Sequence, residues 1–291
     1  MKNFVQKIAL FALLPIIWFC TNMVINRYLY LQQKVDLTKD SSVFIAGDSH
    51  PQRGINPEYF KHAENIAQSA EPYVLTYWKL KKIFQTHVPD TLILGFSPHN
   101  ISAYNDLKFS DDNWAPEVFR RSYPILNLDN IEGEIPINYF SYGRVVWDNT
   151  AYFPKEDHIN YIGWFVKGET NRTNDWERVI KRQFYDEDKS LGVSELSVQY
   201  LDSIVQLCTA KNIEIVLVST PVHTTYFENI PPPMMERYSD LCQHYATRHL
   251  VFNRMNKKYP DSLFFNSNHL NTLGANTFTQ ELIKELKAKP Q

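Results

Sequence analysis

The spacing of apolar positions along this chain switches repeatedly between two patterns, and the switches mark its elements. Short runs at residues 43–46, 91–95, 213–218 and 263–265 are apolar almost throughout. A strand apolar on both faces suits the interior of a parallel sheet, whose two sides are covered by helices. A weaker segment at 65–67 is expected to add a fifth strand. Between these runs the apolar residues fall at helical spacing. Residues 71–87 carry Tyr73, Leu75, Trp78, Leu80, Ile83 and Phe84 on one face, and residues 194–211 carry Leu196, Leu201, Ile204 and Val205. Further helices are expected over 234–255 and 275–287. This alternation predicts a three-layer α/β/α fold around a mostly parallel five-stranded sheet of flavodoxin-like type.

From about residue 101 to 190 both patterns fail. A stretch this long is too large for a bare loop in a compact domain. It is expected to be an inserted irregular cap of short helices and loops. Its Trp114, Trp147, Trp164 and Trp176 either line a substrate groove or form the cap's own small core.

The N-terminus departs from the globular pattern. Residues 8–20 are apolar, the run extends to about residue 25, and Lys2 and Lys7 precede it. That approaches the length of a short membrane span. Trp18-Phe19-Cys20 offers no small-residue cleavage site, so an uncleaved signal anchor is expected ahead of a cleaved signal peptide or a buried helix. Residues 1–27 then form a cytoplasmic stub and transmembrane helix, 28–40 a connector, and 41–291 the α/β domain. Arg27 and Lys34 nearly balance the flanks, so orientation rests on the short N-terminal side, which places the domain outside the cytoplasm.

Composition narrows the function classes. Thirty Lys and Arg stand against 32 Asp and Glu, a net charge of −2, and no basic stripe with interleaved aromatics marks a nucleic-acid binder. Nine glycines against 16 prolines exclude collagen-like and glycine-rich disordered chains. Cys20 falls in the apolar run, while Cys208 and Cys242 are compatible with either a disulfide or two buried thiols.

The chemistry gathers at two strand ends. The first strand runs into Gly47-Asp48-Ser49, and His269 follows the last apolar run closely. In an open α/β sheet the carboxyl ends of the strands share one edge, where ligands bind. A serine needs a base to attack, and histidine titrates in the right range. A carboxylate usually orients that histidine and stabilises its cation. Here Asn266 holds the position three residues before His269: it can orient the ring but carries no charge, and Asp261 is expected at the wrong end of the strand.

Taken together, the strand-Gly-Asp-Ser block and the terminal His269-Leu-Asn271 block resemble the SGNH (GDSL-like) hydrolase superfamily. The likeness is greatest to its membrane-anchored, extracytoplasmic branch of DltD-like and polysaccharide-acetylation proteins. It covers roughly residues 41–100 and 194–291. The resemblance implies Ser49 as nucleophile, His269 as base and Asn266 in the acid position. Its second block falls on Asn65 to Ala70, with Ala67 and Ala70 where glycines supply oxyanion donors. Its third falls on Gly95-Phe96-Ser97-Pro98, with Ser97 in place of the donor asparagine and Asn100 as a substitute from the loop. His99, Thr220 and His223 reach the same edge as substrate contacts. Loss of one oxyanion donor costs roughly 3–4 kcal/mol of transition-state stabilisation.

The resemblance implies an esterase or O-acyltransferase acting, without a cofactor, on acyl, chiefly acetyl, esters of cell-surface or secreted glycans. The alternative is a catalytically degenerate member that binds glycan or partners a membrane-bound O-acyltransferase. A metal-dependent hydrolase using Asp48, His50, His99, His223 and His269 lacks any His-x-His or His-Glu-x-x-His spacing, so no metal is expected. Asn171-Arg-Thr173 matches a glycosylation pattern common by chance, and Asp186 to Lys189 is expected to be a solvated loop.

Overall fold

The computed structural model describes residues 2–32, 35–38, 40–123, 125–151, 161–169 and 172–288; Lys34 and Asn171 lie outside the described residues. In chain order the strands are β1 Val43–Ala46, β2 Ala63–Asn65, β3 Thr91–Gly95, β4 Tyr185–Asp186, β5 Lys189–Ser190, β6 Glu214–Ser219, β7 Leu250–Asn253, β8 Phe264–Asn266 and β9 His269–Leu270. Five of them form one sheet in the order β2-β1-β3-β6-β7, with every pairing parallel. The helices are α1 Lys2–Gln32, α2 Ser49–Gly54, α3 Tyr73–Ile83, α4 Tyr104–Leu107, α5 Ala115–Ser122, α6 Tyr139–Thr150, α7 Trp176–Phe184, α8 Glu195–Ala210, α9 Thr224–Glu228, α10 Pro232–Ala246 and α11 Thr272–Ala288.

Successive residues of a strand face opposite sides of the sheet. Phe44, Leu92, Leu94, Ile215 and Leu217 therefore join the larger core with residues of α3, α8 and α10. Ile45, Ile93, Val216 and Val218 face the other side, where Phe278 and Leu282 of α11 cover them. Both faces of the sheet are thus buried, as its apolar strands require.

One of the five expected sheet strands is not where the sequence pattern put it. Residues 263–265 do not enter the sheet; β8 pairs antiparallel with β9 outside it. The fifth place is taken by β7, which lies within the stretch read as one helix over 234–255. Helix α10 stops at Ala246, and Leu250-Val-Phe252 pairs with β6. A three-residue apolar run after a helix fits either continuation, and only the partner strand decides. The second strand likewise lies slightly earlier, at Ala63–Asn65.

The cap spans α4 to α7 and the β4–β5 hairpin. Its tryptophans divide: Trp147 packs on Phe19 of α1 with ring centroids 5.0 Å apart, Trp164 is exposed, and Trp176 packs against the core. Helix α1 contains a stretch, Gln6–Tyr30, long and apolar enough to cross a membrane. Most of its apolar side chains face outward, whereas Asn22 and Asn26 are buried. Asn26 Nδ2 donates to Thr150 O of α6 at 3.4 Å, tying the end of α1 to the cap.

Candidate active site

The turn from β1 into α2 is dictated locally. Gly47 adopts φ +118°, and a Cβ there would lie 3.1 Å from Pro51 Cγ and 3.2 Å from Gly95 N. Asp48 caps α2, accepting from His50 N at 3.0 Å, and Ser49 opens the helix half-buried at the carboxyl edge of the sheet. Across the edge, the tight β8–β9 hairpin places Asn266 opposite His269.

These two turns bring together residues 220 apart in sequence: Ser49 Oγ lies 2.7 Å from His269 Nε2. Asn266 Oδ1 lies 2.9 Å from His269 Nδ1. The same Oδ1 accepts the backbone N–H groups of His269 at 2.9 Å and Asn268 at 3.2 Å. Those two donors pin the amide with its oxygen toward the ring. Nδ1 must then carry the proton, and Nε2 presents its lone pair to the Ser49 hydroxyl. Asn266 thus sets the same tautomer a carboxylate would, without the charge.

The charge sits one layer behind. Asp48 is buried; its Oδ2 accepts from His99 Nε2 at 2.6 Å and from Asn100 Nδ2 at 2.9 Å. Burial alone would raise the Asp48 carboxyl, but the attraction and hydrogen bond of His99, then His50, outweigh it and hold it well below the usual value. The His50 ring stacks 4.2 Å from that of His99 and 4.9 Å from that of His269. Burial, first, and His99 keep His50 neutral well below the ordinary histidine range. His269 is lowered to about 3, chiefly by burial, with Arg53, His99 and Arg182 adding to it and Asp48 opposing. A neutral base at the serine is the result.

A cavity of about 310 Å³ opens over Ser49 and His269. Its wall includes Asp48, Ala70, His99 and Asn266, together with Tyr104 and Trp114 from the cap. Ala70 adopts φ +59°, the left-handed conformation a glycine would take. Ser49 and Ala70 both line the cavity, and among the described residues their backbone N–H groups are assigned no acceptor. His99 Nδ1 is also buried without a partner.

Other expected site residues lie elsewhere. The Ala67 N–H is committed to Asn65 Oδ1 at 3.1 Å. Asn100 does not swing in: its Oδ1 accepts from Ser97 N at 2.8 Å, its Nδ2 serves Asp48, and neither it nor Ser97 lines the cavity. Thr220 sits behind His50, 3.3 Å from its Nδ1. His223 turns away to Asp261, 3.2 Å from its Oδ1, and to Thr225. As ligands the histidines do not converge, and no group of three or more His, Cys, Asp or Glu among the described residues could hold a metal ion. Cys208 and Cys242 are both free thiols.

The basic side chains of the cavity wall were not legible as site residues. Arg53, Lys108, Arg121, Arg178 and Arg182 all line it. The available signals were spacings: Arg53 stands one helical turn after Ser49, and Arg178 and Arg182 stand one turn apart on amphipathic α7.

No protein-family profile matches the chain, and no curated protein sequence does. Among solved structures it is similar to a GDSL-like lipase from Bacteroides thetaiotaomicron, at 12% identity over 90% of this chain and 97% of that one, with a TM-score of 0.44. It is also similar to a catalytic mutant of an acetylxylan esterase from Geobacillus stearothermophilus, at 10% identity over 88% and 98% with a TM-score of 0.36. A carbohydrate acetylesterase family member from Sinorhizobium meliloti overlaps at 12% identity over 85% and 97%, with a TM-score of 0.32. These overlaps are loose, and the functional reading stands on the site's own geometry.

Proposed function

We propose that this chain is a serine esterase or O-acyltransferase that acts on acyl, chiefly acetyl, esters of cell-surface or secreted glycans. The observation that carries the reading is the contact between Ser49 Oγ and His269 Nε2 at 2.7 Å, with Asn266 pinned against Nδ1. Ser49 attacks the acyl carbonyl as His269 takes its proton, forming a tetrahedral oxyanion that collapses to an acyl-serine as the bond to the sugar oxygen breaks. The N–H groups of Ser49 and Ala70 receive that oxyanion. His269 then returns the proton to the departing sugar hydroxyl. Water or a second hydroxyl completes hydrolysis or transfer by the reverse sequence. Helix α1 serves as a single membrane anchor with the α/β domain on the extracytoplasmic side, near acylated envelope glycans.

A second reading, a degenerate scaffold that binds glycan or partners a membrane-bound O-acyltransferase, draws on the committed Ala67 N–H and the retracted Asn100. Release of acetate from an acetylated oligosaccharide by the full-length chain in detergent separates the two. The esterase reading expects release that is lost in Ser49→Ala and in His269→Ala; equal release by all three proteins contradicts it. Folded protein without release or serine labelling favours the scaffold.

A further inference from the structure

The cavity's charge is not balanced from within. Asp48 is satisfied by His50 N–H, His99 and Asn100, and Asp175 pairs with Arg178 at 3.3 Å and accepts from Ser267 N at 3.0 Å. Arg121 is answered by Glu117 at 2.7 Å. Arg53 and Arg182 have no carboxylate partner among the described residues. Buried Lys108 donates only to neutral oxygens, Ala70 O at 3.0 Å and Asn105 Oδ1 at 2.8 Å. Two guanidiniums, those of Arg53 and Arg182, therefore face one small cavity with no protein anion assigned to them, while burial pushes the Lys108 ammonium down to about 7 and leaves it only part of a charge.

Arg53 is the best placed. It follows Ser49 by one turn of α2, so the two side chains leave the same face of the helix. Its guanidinium lies 4.2 Å from the centre of the Phe265 ring. Its Nη1 lies 3.0 Å from where a Gly168 Cβ would stand, so the guanidinium also packs closely against the chain at Gly168. A guanidinium seated on an aromatic ring, half out of water and without an acid can take a two-oxygen anion through its fork. Leaving such a charge partly desolvated and unpaired is unfavourable, and a bound anion removes the penalty.

Resting on the esterase reading above, we infer that the ligand carries an anionic oxygen group, a carboxylate or a phosphate, that pairs with Arg53 while its ester lies at Ser49. Exposed Arg182 draws the anion toward the mouth. The substrate class is thus an acylated acidic glycan, either a uronic-acid polymer or a phosphate-bearing one. Pairing also offsets the guanidinium field that depresses His269, so the correct substrate strengthens its own base.

Binding is measured apart from turnover, by calorimetry on the full-length Ser49→Ala protein in detergent. The probes are an O-acetylated uronic-acid disaccharide, its neutral methyl ester, and an O-acetylated sugar phosphate. The inference expects at least about tenfold tighter binding of a charged probe than of the neutral ester, weakening with added salt, since one guanidinium–anion pair is worth about that factor. Whichever charged probe binds more tightly names the anion. Arg53→Gln, with its fold checked by circular dichroism, is expected to erase the preference. Arg53→Lys is expected to keep part of it, as a charge without the fork. Equal binding of neutral and charged probes, or a preference untouched in Arg53→Gln, overturns the inference. Charge-selective binding by a protein whose wild-type Ser49 releases no acetate sustains the subsite and rejects the esterase reading instead.

Discussion

Replacing Asn266 by Asp separates the two services a third catalytic residue can give, orientation and charge. Asn266 Oδ1 already holds three N–H groups, those of the His269 ring, His269 N and Asn268 N. Its Nδ2 donates to no described residue, so exchanging NH₂ for O breaks no hydrogen bond and adds one negative charge. With charge centres about 4 Å apart and an effective dielectric near 20, the carboxylate–imidazolium attraction is about 4 kcal/mol. Arg53 and Arg182 also attract the new carboxylate, and the cavity admits water, so about half of that, roughly 2 kcal/mol, acts on the ring. The His269 pKa, now about 3, should rise by about 1.5 units, and the transition state, with its imidazolium, should gain roughly thirtyfold in kcat. The assay is kcat/KM for an aryl acetate across pH with the full-length protein. The acid limb, where His269 becomes protonated and stops acting as base, should move up in Asn266→Asp. Asn266→Ala should fall on the order of a hundredfold, because the ring loses its fixed tautomer. An Asn266→Asp enzyme that is slower, with an unmoved acid limb, refutes the reasoning.

Three further outcomes follow from the same geometry. Asp48→Asn removes the buried carboxylate that accepts from His99, Asn100 and His50 N and should lower stability by about 1–3 kcal/mol in urea unfolding, with an unchanged midpoint contradicting the buried network. Gly47→Ala forces a side chain into a positive-φ position against Pro51 and should cost roughly 2–3 kcal/mol; a neutral effect would mean the turn is not held as described. Stability should fall as pH drops from about 6.5 to about 5.5, because the unfolded state protonates His50 and His269 while the folded state keeps both neutral. Over that unit each contributes about 1 kcal/mol, and Asp106, raised to about 6 by burial, offsets part of one of them, so a urea midpoint higher at the acid end contradicts the burial of neutral histidines.

Much of the fold was legible because the central strands are buried on both sides and read as unbroken apolar runs. β1, β3 and β6 are such runs, and each closes on the edge that carries chemistry. β7 was hidden because its three apolar residues continue the spacing of α10, and β8 was misplaced because a covered hairpin is as apolar as a sheet strand. Ser49, His269 and Asn266 could be found from local patterns, since a strand running into Gly-Asp-Ser and a histidine shortly after an apolar run are short signals, although the hairpin that holds His269 was not legible. Asn100, Thr220 and His223 illustrate the opposite case. Sequence placed them near the edge but gave no sign of their partners, and Asp48, His50 and Asp261 claim them. The basic wall escaped for a related reason: Lys108, Arg178 and Arg182 come from the irregular cap, whose packing over the sheet edge no periodicity encodes.

The central claim is that Ser49 accepts an acyl group with His269 as its base. Brief reaction of the full-length chain with an activated acetyl ester at mildly acidic pH, followed by peptide mass spectrometry, tests it most directly. The account predicts an acetyl adduct on the peptide bearing Ser49, absent in Ser49→Ala and in His269→Ala. Folded wild-type protein whose Ser49 stays unmodified, or an adduct that forms equally well without His269, would contradict it.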